Sequence, residues 1–203
     1  MLSSYSVFLP SYSVGTDCYR EIPYVTRKYG TKAVVIGGKT AMQKAKPELE
    51  AAILGSKVEI VDYIWYGGDS NYENIEKLKA NETVQNADML FGVGGGRACD
   101  TVKTLADMLD KPFFTFPTLA SNCAACTAIT VIYNADGSFK EYYYMHGPAY
   151  HTFVNTKIIA DSPEKLLWAG IGDALSKECE VLFASRDKFI YHTPLMGQCV
   201  AKV

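Results

Sequence analysis

Three consecutive glycines, Gly94, Gly95 and Gly96, followed by Arg97, are the residues whose type and spacing bear most directly on chemistry. They follow an apolar run (Met89, Leu90, Phe91, Val93) that reads as a buried strand. They precede a helical pattern that sets Val102, Leu105, Ala106 and Leu109 on one face. Strand, glycine turn and helix together place bare backbone N–H groups at a helix N-terminus, where they attract phosphate. Glycine lacks the Cβ that would hold a pyrophosphate at a distance, and it permits positive φ. The spacing departs from G-x-G-x-x-G because Arg97 stands where the last glycine would fall. Taken alone, the stretch fits a phosphate cradle and a ligand-free tight turn equally.

Other segments carry further candidates. Lys39 follows the first strand, where an acidic residue suits the ribose 2′-hydroxyl of NAD and a cation suits the 2′-phosphate of NADP. Here the turn is Gly37-Gly38-Lys39, without a carboxylate, and a solvated turn lysine is the plain alternative. The stretch PTLASNCAACT, residues 117–127, ends a strand in small and hydroxyl residues that can approach a ligand closely. Within it, Cys123-Ala-Ala-Cys126 has redox spacing, but no second pair and no nearby histidine complete a zinc site. Small residues lining a cavity are the simpler reading. Asp173 follows Gly170-Ile171-Gly172 and reads as a helix cap or, less simply, a metal ligand. His146, His151 and His192 lack metal-ligand spacing.

The elements that must position these residues alternate between strand and helix, the pattern of an α/β parallel sheet. Helices are expected over 17–29, 41–54 and 73–81, with Asp17 as a cap. Strands are expected over 32–36, 58–66, 89–93 and 112–116, the first a continuous β-branched run suited to burial on both faces. Residues 129–133 and 139–144 flank Asn134-Ala135-Asp136-Gly137, a hairpin signal that adds an antiparallel excursion. Phe153-Val154 and Ile158-Ile159 suggest a last strand and a short extension. Ser162-Pro163-Glu164 then starts a helix, with Ser162 as cap and Pro163 at its first position. Gly170 to Gly172 is expected to interrupt it, with a second helix over 173–186. The composition shift near 160 sets a boundary between a nucleotide-binding domain, 1–160, and a helical segment, 161–203.

With 203 residues and 48% hydrophobic content, the chain can bury a substantial core. A net charge of −2 without basic runs gives no electrostatic case for nucleic acid or an anionic membrane. No stretch has the length of an apolar membrane span, and the N-terminus lacks a cationic segment ahead of an apolar one. Six cysteines inside apolar or helical patterns do not form a disulfide framework, which points to a cytoplasmic protein.

Three segments, GVGGGRACDTVK at 92–103, FPTLASNCAACTAITVIYNADG at 116–137 and LWAGIGDALSKECE at 167–180, together resemble the iron-containing (group III) alcohol dehydrogenases. The likeness is to their glycerol dehydrogenase and hydroxycarboxylate dehydrogenase branch. It implies a dehydroquinate-synthase-like fold, with an N-terminal nucleotide-binding domain followed by the start of an all-helical one. It further implies that Gly94, Gly95 and Gly96, with Arg97, hold a cofactor pyrophosphate. Thr118, Leu119, Thr127, Ile129 and Tyr133 would then touch the nucleotide, and Asp173 would ligate Zn²⁺ or Fe²⁺.

The departures are specific. Glycerol dehydrogenases carry a lysine where Arg97 stands, an aspartate near the substrate where Cys123 stands, and an acidic residue where Gly37-Gly38-Lys39 lies. The latter two departures resemble the hydroxycarboxylate branch, which reduces 2-oxo acids with NADPH; a neutral Cys123 would not repel an anionic substrate. The resemblance also implies two histidine ligands beyond Val203, so Asp173 alone is not a competent site. A chain ending there is expected to expose Leu166, Leu167, Leu175, Leu182 and Phe183. The expected function is a metal-dependent NAD(P)-linked oxidoreductase acting on a small alcohol or 2-hydroxy acid, homo-oligomeric when intact. The alternative is a nucleotide-binding fragment without catalysis. Dehydroquinate synthase or glycerol-1-phosphate dehydrogenase chemistry would want additional cations near the site, which the sequence does not supply.

Overall fold

A computed structural model describes residues 10–186. Its centre is a six-stranded sheet in which every neighbouring pair runs parallel. In chain order the elements are β1 (Tyr12–Gly15), α1 (Ile22–Thr26), β2 (Lys32–Gly37), α2 (Lys39–Ile53) and β3 (Glu59–Trp65). There follow α3 (Tyr72–Lys79), α4 (Glu82–Asn86), β4 (Met89–Gly94), α5 (Gly96–Met108) and β5 (Phe113–Pro117). The chain continues through β6 (Ile129–Tyr133), β7 (Phe139–Tyr144), β8 (His151–Asn155), α6 (Thr156–Ala160) and α7 (Glu164–Ser185). The sheet order is β1-β8-β5-β4-β2-β3, and β6 pairs only with β7, as a separate antiparallel hairpin.

The central strands are apolar on both sides because both sides are covered. Val35, Phe91, Phe114 and Phe116 pack on one face with Tyr19, Ile22, Ala45 and Leu49 from the segment before β2 and from α2. Val34, Ile36 and Leu90 pack on the other with Ile75, Leu78, Val102 and Leu105 from α3 and α5. The strand period of two sorts adjacent residues such as Val34 and Val35 into different layers. Phe116 and Phe153 stack across β5 and β8 with centroids 4.9 Å apart, and Tyr19 meets Phe116 edge-on at 5.3 Å.

From β2 the chain winds outward to β3, then returns to place β4 on the other flank of β2. This reversal is a topological switch, and a crevice opens there at the carboxyl ends of the strands. Both glycine turns lie at it. Gly37 ends β2 so close to β4 that an added Cβ would overlap the Val93 carbonyl oxygen.

Several local expectations are corrected. Residues 17–29 form a 3₁₀ turn (Cys18–Glu21) and then the short α1. Asp17 caps nothing through its side chain and pairs with Arg20 at 3.6 Å. The edge strand β1 and helix α4 are additions to the sequence pattern; Asn81 caps α4 by accepting from the N–H groups of Thr83 and Val84. Ile158 and Ile159 lie in α6, not in a strand extension, because the Asn155 carboxamide oxygen accepts from Lys157 and Ile158 N–H and starts a helix there. Pro163 occupies the cap position of α7, and Ser162 does not cap it.

The largest correction is α7. It runs unbroken through Gly170 and Gly172, so Asp173 is a mid-helix residue and not an N-cap. Gly170 is used for close approach, as described below. Leu167, Leu175, Leu182 and Phe183 are exposed as expected, whereas Leu166 is half-buried. Cys18, Cys99, Cys123, Cys126 and Cys179 are all free thiols. His192, Cys199 and Val203 lie outside the described residues. Among the described residues, no helix is long and apolar enough to cross a membrane.

His151 in β8 is buried and holds the sheet edge through both ring nitrogens, Nδ1 to Ser11 Oγ at 2.7 Å and Nε2 to Ser13 Oγ at 2.9 Å. Burial lowers its pKa below the ordinary 6.5, against a weaker opposing pull from Glu21. The unfolded chain therefore binds the proton more readily than the folded one. Stability should hold above the ordinary imidazole range and fall as pH drops from 6.5 through the lower folded value. Urea midpoints measured across that window should show this slope, and His151→Asn should flatten it.

Candidate functional site

A cleft of about 840 Å³ opens at the switch between β2 and β4. Its floor is the turn from β4 into α5. Gly94 has φ +150°, a backbone region that side chains rarely adopt, and a Cβ there would lie 2.8 Å from Ala98 Cβ. Gly95 occupies the cap position of α5 without a side chain to close it. The first-turn N–H groups of α5 therefore have no capping side chain, and the helix dipole adds positive potential at the cleft. Gly94, Gly95, Gly96 and Arg97 all line this space.

The segment 118–128 folds over the turn. A Cβ on Gly95 would lie 2.8 Å from Leu119 Cδ1, and one on Gly96 would lie 3.0 Å from Asn122 Nδ2. Buried hydroxyls pin this segment to the sheet: Thr115 and Thr152 donate to the Ala125 carbonyl at 2.9 and 3.3 Å. The principal fastening is Lys103, a residue with no solvent exposure. Its ammonium donates to the Ala124 carbonyl (2.7 Å), the Ile129 carbonyl (2.8 Å) and Thr127 Oγ1 (3.1 Å). Asp100 Oδ1 lies 3.3 Å away, and Asp100 Oδ2 accepts from Val131 N–H. Burial pushes the Asp100 carboxyl up, outweighing the neighbouring ammonium.

These contacts present Thr118, Leu119, Thr127, Ile129 and Tyr133 to the same cleft as the glycines. Arg97 spans its edge, with Nε 3.4 Å from Asp69 Oδ1 and the guanidinium 4.8 Å from the Tyr133 ring centroid. Lys39 is not brought in; its ammonium lies over the Trp65 ring at 4.6 Å and it does not line the cleft. Lys44, one turn along α2 from Thr40, lines it instead. The sequence missed Lys44 because only helical spacing from Thr40 places it there. It also missed Asp100 and Lys103, whose spacing of three looked like an ordinary helix pair.

The other wall is α7. A Cβ on Gly170 would overlap the Ala120 carbonyl oxygen, so this helix rests directly on the backbone of the covering segment. Leu166 and Asp173, one turn before Gly170 and one after, share its face and line the cleft. Cys123 lines it too, and burial and then Asp173 push its thiol up, keeping it neutral. Asp173 Oδ1 is held 3.1 Å from Lys177 Nζ. Among the described residues no set of three His, Cys, Asp or Glu side chains could hold a metal ion. Asp173 thus offers a single carboxylate, already ion-paired, where a catalytic metal takes about three protein ligands.

Removing the buried ammonium leaves the Asp100 carboxylate without its counter-charge and takes a donor from the Ala124 and Ile129 carbonyls. Lys103→Met should cost about 3–5 kcal/mol in chemical denaturation, the range for breaking a buried charge pair. Asp100→Asn should cost clearly less, because the ammonium keeps its three other oxygens.

Residues 10–154 match the family described as iron-containing alcohol dehydrogenase. The chain is 31% identical over 175 residues to an Escherichia coli glycerol dehydrogenase, covering 86% of this chain and 47% of that protein. It is 34% identical over 161 residues to hydroxycarboxylate dehydrogenase A of Escherichia coli, covering 78% and 43%. The crystal structure of glycerol dehydrogenase from Schizosaccharomyces pombe superposes with a TM-score of 0.79 at 27% identity, covering 90% and 47%. The chain spans about half the length of the relatives it matches. By the extent of these matches, and with a cleft formed where the sheet reverses, the chain belongs to the iron-containing alcohol dehydrogenase family.

Proposed function

We propose that this chain is the nucleotide-binding part of an NAD(P)-linked oxidoreductase that interconverts a small alcohol or 2-hydroxy acid and its carbonyl form. The observation that carries this reading is the uncapped N-terminus of α5 at the sheet's switch point, inside a cleft large enough for a dinucleotide. Gly94, Gly95 and Gly96 would hold the pyrophosphate by backbone N–H groups, with Arg97 beside them. Thr118, Leu119, Thr127, Ile129 and Tyr133 would bound the rest of the nucleotide. The nicotinamide supplies or accepts the hydride when bound. The covering segment and α7 close the sides of the cleft and hold the reacting partners together. Residues from 161 onward would belong to a second, helical domain that forms the substrate wall.

At that wall the neutral Cys123 thiol leaves an anionic substrate unrepelled, which supports 2-oxo acid reduction alongside glycerol-type chemistry. Asp173 would contribute one carboxylate toward a Zn²⁺ or Fe²⁺ ion, short of a full ligand set. A second reading, a nucleotide-binding module without catalysis, is favoured by the Asp173–Lys177 pair. Metal-stimulated reduction of a 2-oxo acid or dihydroxyacetone by this chain would eliminate that second reading.

The 2′-phosphate of NADP would meet cations and no acid at the β2–α2 turn. Lys44 faces the cleft and has no ion pair or hydrogen bond among the described residues. Titration by nucleotide fluorescence should show NADPH bound more tightly than NADH. Lys44→Ala should weaken NADPH by about tenfold, some 1.4 kcal/mol, and leave NADH nearly unchanged. Lys39→Ala should do less, because its ammonium rests on Trp65. No fluorescence change with either nucleotide at millimolar concentration would overturn the nucleotide assignment.

A further inference from the structure

The nucleotide assignment gives no role to the second cysteine of Cys123-Ala-Ala-Cys126. In the structure Cys123 stands at the cap position of a 3₁₀ turn, Ala124–Cys126, and the Cys126 N–H donates to the Cys123 carbonyl at 2.9 Å. Side chains three residues apart eclipse in such a turn, and a rise of about 2 Å per residue puts their Cα atoms about 6 Å apart. Disulfides span Cα separations of about 4.4–6.8 Å, so this pair can close without moving the backbone far. Cys123 is exposed at the cleft and open to a small oxidant. Cys126 is half-buried, with Sγ 3.9 Å from Thr152 Oγ1. The turn is held on both sides, by Lys103 at the Ala124 carbonyl and by Thr115 at the Ala125 carbonyl. Its two cysteines therefore stay in register. Cys18 and Cys99 are buried, and Cys179 is exposed on α7.

We propose that Cys123 and Cys126 form a reversible intrachain disulfide at the cleft, with hydroperoxides as the oxidant class. Burial and Asp173 hold Cys123 mainly as the thiol, so the reaction runs through the thiolate left when its proton departs: that sulfur attacks the peroxide oxygen, the O–O bond breaks, the oxygen that departs takes up the proton as water, and a sulfenic acid remains on Cys123. Cys126 sulfur then displaces that oxygen as a second water. Two thiols lose two electrons and two protons, and hydrogen peroxide becomes two waters. The product removes the free Cys123 thiol from the cleft wall.

The test needs no nucleotide and no catalysis. No Lys or Arg lies between Pro112 and Phe139, so trypsin leaves Cys123 and Cys126 on one peptide, ending at Lys140, with no other cysteine. The whole chain is treated with hydrogen peroxide, alkylated under denaturing conditions, digested and weighed. The expected peptide is lighter than its reduced form by two hydrogens, carries no alkyl group, and gains two after dithiothreitol. In Cys126→Ser the two-hydrogen loss should vanish. A wild-type peptide alkylated at both cysteines, Cys123 oxidised alone to a sulfinic or sulfonic acid, or Cys123 joined to Cys179 would each overturn the proposal. The wild-type spectrum decides even if the variant folds poorly.

Discussion

A buried ammonium organises this molecule. Lys103 has no solvent exposure, and its compensation comes from the Asp100 carboxylate, from Ala124 and Thr127 oxygens on a segment with little regular structure of its own, and from the Ile129 carbonyl where β6 begins. Removing a charge from water is costly, so an ammonium in such a place demands that its acceptors be delivered together. The demand runs both ways. The segment 118–128 lies outside the sheet ladders, and the lysine supplies its Ala124 carbonyl with the donor that a neighbouring strand would otherwise provide. The strand β6 begins where that cluster ends, so the hairpin too is anchored through α5.

Much of this architecture is legible in the chain because burial on both faces leaves an unmistakable signature. The continuous apolar runs at Val34–Ile36 and Met89–Phe91 admit little besides central parallel strands, and the glycines after them admit little besides a tight turn. What escapes notice is tertiary in origin. The edge strand β1, with alternating exposed and half-exposed residues, exists through its pairing with β8. Local propensity reads Gly170 and Gly172 as a break, but packing against Ala120 makes the absence of a side chain useful and the helix continues. Likewise, Asp100 and Lys103 share the spacing of many surface pairs, and only the fold reveals that theirs is enclosed.

The same distinction separates Lys39 from Lys44 in α2. Both lie near the crevice in sequence, yet a difference of five positions turns one toward Trp65 and the other toward the cleft. Position after a strand is thus a coarse guide to ligand contact, and helical phase refines it. The family match spans the strands and glycines of the crevice, and Cys123, Lys44 and Arg97 line the same space.

The contact at Gly170 has a mechanical meaning. Where two segments meet through side chains, rotamer changes absorb small displacements. Here a helix backbone bears on a loop backbone at Ala120, and nothing between them can give. Loop and helix are therefore geared together. A shift of the covering segment toward α7 would press directly on the helix that carries Leu166 and Asp173. One backbone contact thus fixes the spacing between the cover of the glycine turn and the α7 wall of the cleft.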